Sequence, residues 1–66
     1  MRIEDRAELL HETGERHGQF EKTHVPHNWY DWYAAYLDAR DEGRTPEEAS
    51  EAARHYMEDE LGVAPL

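Results

Sequence analysis

The chain has no cysteine, one lysine, three prolines and four glycines, and no apolar run approaches the ~20 residues of a membrane-spanning helix. Each scarcity removes a class of answer. Without cysteine, disulfides and thiolate metal sites are excluded, and redox compartment cannot be read from cysteine usage. The opening MRIEDRAELL is charged from its second residue, unlike a secretory leader, so the expected setting is the cytoplasm. Basic residues are scarce too: seven Lys and Arg stand against sixteen Asp and Glu, a net charge of −9. Phosphate neutralisation needs a basic patch, so direct nucleic-acid binding is not expected. Attraction to a membrane surface fails for the same reason. Arginine in place of lysine suits a GC-rich genome or a salt-adapted host.

At 66 residues the chain is one domain, 1–66, and a marginal one. Below roughly 70–80 residues a lone core rarely supplies more than about 3–5 kcal/mol without a disulfide, a metal or a partner chain. Self-association, with a dimer as the simplest form, is the expected remedy. Five histidines add pH dependence: full protonation would take the net charge from −9 to −4.

Against these shortages stands one concentration. Five of the seven aromatic residues fall between Trp29 and Tyr36. Trp29, Trp32, Tyr33, Tyr36 and Leu37 recur at i, i+3, i+4, i+7 and i+8, the spacing of one helix face. Arg40 lies one turn beyond Tyr36, nearly over the stripe, where a guanidinium stacks on a ring or pairs with a buried carboxylate. Asn28 precedes the run as an N-cap, and Gly43 follows it as a C′ residue. The predicted helix is 29–42.

Two further helices flank it. Over 3–17, Ile3, Ala7, Leu10, Gly14 and His17 share a face, with Leu9 and Phe20 beside it; Glu12 is placed to pair with Arg16. Gly14 weakens this helix, unless it is there to admit an aromatic ring. Over 46–61, Thr45-Pro46-Glu47-Glu48 forms a capping box, and the helix stops at Gly62. Its inward face is Ala49, Ala52, Ala53, Tyr56 and Met57, small residues opposite large rings. Pro26 breaks the chain between the first two helices. The expected fold is all-α: three helices built on an antiparallel hairpin of the second and third, with the first across the aromatic face, oligomerisation completing the core and a loose tail at 63–66.

For function the residues leave two principal readings. The aromatic stripe reads first as the hydrophobic core of a small bundle. In the first functional reading, a non-catalytic, acidic interaction module binds itself and a larger protein through Trp29, Trp32, Tyr33, Tyr36, Arg40 and Tyr56, with no cofactor. In the second, the same aromatic face and the loop histidines hold a small molecule or a metal. His17, His24 and His27, with Glu21 nearby, offer imidazoles and a carboxylate suited to Zn, Fe(II), Mn or Ni. The HxxH spacing in a proline-containing loop is a weak ligand signal, and core or loop hydrogen bonding explains these histidines more simply. His55 falls on the outer face. A nucleic-acid mimic is a weaker third reading, because the carboxylates spread over all three helices. The only serine, Ser50, sits mid-helix, so a hydrolytic triad has no support and the chain is not expected to be an enzyme.

The pattern HNWYDWYAAYLDAR followed by DEG and TPEEASEAARHYM, with ELLHETGERHGQFEK before it, resembles a short helical module of bacterial proteins. That module is associated with the glyoxalase/bleomycin-resistance (vicinal oxygen chelate) proteins as a small helical extension. The chain lacks the βαβββ units that carry the metal in those enzymes. The resemblance therefore implies an accessory module and transfers no catalytic residue.

Overall fold

Why the chain folds as it does is clearest in the middle. A computed structural model describes residues 2–66. It holds three helices, α1 (Ile3–Glu21), α2 (Trp29–Asp41) and α3 (Pro46–His55), and α3 runs on into a single wider turn, Tyr56–Glu60. Among the described residues the only β feature is one antiparallel bridge between His24 and Pro65. The fold is all-α.

The α2–α3 hairpin follows directly from residue types. Trp32 and Tyr36, one turn apart on α2, stack with ring centroids 5.0 Å apart at 15°. Both are buried against Ala49, Ala53 and Met57, whose small or pliable side chains let the helix axes approach. The corner is fixed at both ends. Gly43 takes a left-handed φ of 93°, its N–H returns to the Arg40 carbonyl, and the Arg44 N–H returns to the Ala39 carbonyl. Thr45 Oγ1 then accepts from the Glu48 N–H while Glu48 accepts from the Thr45 N–H, completing the capping box.

α1 departs from the sequence expectation in three ways. It passes through Gly14 and Gly18 to Glu21, four residues beyond the predicted end. Gly14 does admit a ring: a Cβ there would stand 3.0 Å from the Tyr33 hydroxyl. The buried face is also rotated. Leu9, Thr13, His17 and Phe20 point inward, whereas Ala7 is exposed, Leu10 is largely so and Ile3 is 86% exposed. Only His17 belongs to both faces. Thr13 can be buried because its hydroxyl donates to the Leu9 carbonyl at 2.6 Å, leaving its methyl group for packing. Ile3 stays out for a reason of length. α1 has 19 residues and spans about 28 Å, while the 13 residues of α2 span about 20 Å. The first six residues of α1, Ile3 to Glu8, therefore include no buried one. Third, Glu12 reaches across to α2 instead of pairing with Arg16, which turns toward Glu47.

Three smaller corrections follow. Asn28 occupies the N-cap position of α2 without a side-chain capping bond. Regular α-helix ends at His55, not Leu61; the last turn widens, the Leu61 N–H reaching back five residues to the Tyr56 carbonyl at 3.2 Å. Gly62 (φ 69°) then reverses the chain and the Val63 N–H closes on the Met57 carbonyl at 2.9 Å. The segment 63–66 is not loose. Val25 donates to Ala64 and Leu66 donates to Thr23, at 3.0 and 2.8 Å, so the tail lies along the α1–α2 joint.

Candidate functional site

The six aromatic and cationic residues expected to form one interaction face occupy three different environments. Trp32 and Tyr36 are core residues, 1% and 0% exposed. Tyr33 and Arg40 are half-buried between α1 and α2. Trp29 is 58% exposed, its ring edge-on to Tyr30 and Tyr33, and Tyr56 is exposed on the far helix. The α-helical period is common to the five on α2, but α1 and α3 cover only the middle of that stripe. Tyr30, absent from the predicted face, is 54% exposed and extends the open patch beside Trp29.

Arg40 finds a carboxylate, the half-buried Glu12. Its Nε donates to Glu12 at 2.8 Å, the Tyr36 hydroxyl donates to the same Glu12 oxygen at 2.5 Å, and Arg40 Nη1 caps the Arg44 carbonyl at 2.7 Å. Burial raises the Glu12 pKa, but the hydrogen bonds from Arg40 and Tyr36 outweigh it, holding the carboxyl below its ordinary value. Burial first, and then the hydrogen bond to Glu12, push the Tyr36 hydroxyl up to about 12. This arrangement clamps α1 to α2. Its donors are consumed within the protein, so it is built to hold structure and not to transfer a proton near neutrality.

The candidate metal ligands separate into a pair and a singleton. His17 Nε2 and His27 Nε2 face each other at 2.9 Å, and His27 Nδ1 sits 3.0 Å from the Val25 carbonyl. The carbonyl can only accept, so Nδ1 of His27 carries its proton and its Nε2 accepts from His17. Glu21 Oε1 lies 3.3 Å from the other nitrogen of His17. Burial lowers the His17 pKa; Glu21 acts the other way and His27 adds to the lowering. The turn at Lys22 and Thr23, followed by Pro26, thus brings His27 back against α1. His24 points elsewhere. It stacks on Phe20 at 3.8 Å, its Nε2 donates to Glu58 at 2.7 Å, and its Nδ1 meets Thr23 Oγ1 at 2.8 Å. The three histidines therefore do not converge, and among the described residues no group of three or more His, Asp or Glu is placed to share a metal.

Two residues that matter here were missed in the sequence. Glu12 and Glu58 look like members of a solvated acidic face, yet each ties a helix to the rest. Glu58 accepts from both His24 and Arg54. Arg40 on an apolar stripe signals that a carboxylate is needed; which one it takes depends on how α1 docks. His11 and His55 are exposed and pair with nearby carboxylates.

No family model, curated protein or solved structure matches the chain.

Proposed function

We propose that the chain is a non-catalytic interaction module that self-associates as a dimer and docks on a larger protein. One observation carries this reading: Trp29 and Tyr30 stand side by side at the start of α2, each more than half exposed on an otherwise acidic surface. Large aromatic residues exposed together are typical of contact sites, where they supply area at low entropic cost. A groove of about 470 Å³ between α2 and α3 supports a partner of basic character. It is lined by Ala34, Ala35, Ala39 and Ala52, with Asp31, Asp38 and Glu42 outnumbering its one cation, Arg44, beside Tyr56. Such a role suits a bacterial cytoplasmic setting and the resemblance to an accessory module of glyoxalase-like proteins. Sedimentation velocity over a range of micromolar concentrations tests the self-association. The wild type should shift with concentration, and the Trp29→Ser, Tyr30→Ser double variant should stay monomeric with unchanged helicity. A wild type that is monomeric throughout would overturn it.

A second reading, metal binding, is favoured by the facing nitrogens of His17 and His27. Two imidazoles on one tetrahedral zinc, with bonds of about 2.0–2.1 Å, bring their ligating nitrogens to roughly 3.3 Å. That is only slightly beyond the 2.9 Å found here. The module reading expects a melting temperature unmoved by zinc, nickel or EDTA. Metal-dependent stabilisation, lost below about pH 6 as the imidazoles protonate, would replace it with the second.

A further inference from the structure

Among the described residues, two buried polar atoms have no hydrogen-bonding partner: Trp32 Nε1 and Ser50 Oγ. Unpaired buried polar groups are uncommon in folded proteins and each needs an explanation. Both residues line the same cleft, a space of about 200 Å³ between the C-terminal half of α1 and the flank of α3. Gln19 and Glu51 line it too, Glu51 already engaged by Arg54, so the polar groups left over are mostly donors. The indole N–H and the guanidinium can only donate, and the serine hydroxyl can do either. Arg16, on the rim, makes just one long bond, 3.5 Å to the exposed Glu47, and keeps most of its donors unspent. Arg54 is already committed to Glu51 and Glu58. Thr23 and His24 are spent on each other, on the Phe20 carbonyl and on Glu58. Phe20 and the indole face of Trp32 supply apolar wall.

We propose that this cleft binds a short-chain monocarboxylate, its oxygens accepting from Trp32 Nε1, Ser50 Oγ and Arg16 and its alkyl end lying against Phe20. The unmatched groups ask for acceptors, which selects an oxyanion over an amine. The net charge of −9 penalises each added negative charge, which selects a single charge over a phosphate dianion. Size selects a small molecule: 200 Å³ lies below the about 300 Å³ at which drug-sized pockets begin. Guanidinium and indole donors bound to a carboxylate make the stronger, charge-assisted kind of hydrogen bond.

The chain contains only two tryptophans, so its ¹⁵N spectrum has two indole resonances and the exposed Trp29 is a built-in control. Butyrate is titrated into the labelled full chain at pH 7 and constant ionic strength, with inorganic phosphate and butylamine in parallel. The Trp32 indole proton should move downfield along a saturating curve with butyrate while Trp29 stays put, and butylamine should do nothing. Phosphate should bind more weakly. Arg16→Gln should weaken butyrate by about tenfold, the usual consequence of losing one charge-assisted bond, and Ser50→Ala should weaken it less. Circular dichroism and a dispersed Trp32 resonance establish that each variant is folded; if Arg16→Gln is not, Ser50→Ala carries the comparison alone. A linear drift of both indoles, no movement of Trp32, or equal responses to butyrate and butylamine would show a cleft filled by water only and overturn the proposal. Phosphate binding as tightly as butyrate would overturn the carboxylate assignment.

Discussion

The α2–α3 hairpin and α1 are joined to the same core by different physics. The hairpin is held by apolar complementarity between neighbours in sequence: rings on one helix, alanines and Met57 on the other, and a corner set by Gly43 and the Thr45 cap. α1 makes the smaller apolar contribution, through Leu9 and Phe20, and is attached largely by polar clasps: Glu12 to Tyr36 and Arg40, His17 to His27, and Arg16 to Glu47. Apolar packing tolerates local adjustment and is indifferent to pH. Hydrogen-bonded clasps need both partners and respond to protonation. The hairpin should therefore be the sturdier unit in acid, and α1 the element that loosens first.

The most damaging single change should strike the hairpin. Trp32→Ala removes a fully buried ring from the centre of all three helices and should cost about 3–5 kcal/mol, enough to unfold so small a domain. Urea denaturation followed by helicity measures it, and a loss below about 1 kcal/mol would mean that the ring is not central.

Breaking the clasp should loosen α1 selectively. Glu12→Ala leaves the Tyr36 hydroxyl buried without an acceptor and Arg40 without its carboxylate, a loss of about 2–3 kcal/mol. Amide exchange should rise first in Ile3–Glu21 while the α2–α3 amides keep their protection. The acid response follows from the lowered Glu12 pKa. Its contribution is complete above the ordinary carboxyl value of 4.5 and is lost as the pH falls through the lower folded value. Glu12→Gln should flatten the stability profile in that window.

A smaller effect should appear nearer neutrality. The His17 pKa is lowered in the folded state, so the unfolded chain binds more protons just below the ordinary value of 6.5. Stability is then full above about pH 6.5 and declines as the pH falls toward the folded value. His17→Phe, which keeps a ring against Trp32 and Tyr33, should remove this slope. A slope unchanged in that variant would assign it to the other histidines.

The smallest effects separate the capped corner from the overhang. Thr45→Ala, which removes half of the capping box, should cost about 1 kcal/mol, whereas Ile3→Ser should change stability by no more than about 0.5 kcal/mol because Ile3 packs against nothing. Thermal melts of the pair make the test: equal losses would place Ile3 in a contact, such as a dimer interface, that a single chain does not contain.

Much of the hairpin was legible before folding because its determinants are local. Helical spacing from Trp29 to Tyr36, Gly43 at a left-handed position and the Thr45–Glu48 box each lie within a few residues, and chain chemistry alone decides them. The all-α class and the break at Pro26 belong with them. What periodicity could not decide was which way α1 faces. Ile3, Ala7 and Leu10 outline a plausible stripe, but α1 outruns the hairpin it packs on. The buried face is set instead where Thr13 can satisfy its own hydroxyl and Glu12 can reach Tyr36 and Arg40. The pairing of His17 with His27, the departure of His24 to Glu58, the pinning of the tail and the orphaned polar pair of Trp32 and Ser50 all join residues distant in the chain. Residue type sets what each of these groups needs. Only the packing of three helices decides which partner is within reach.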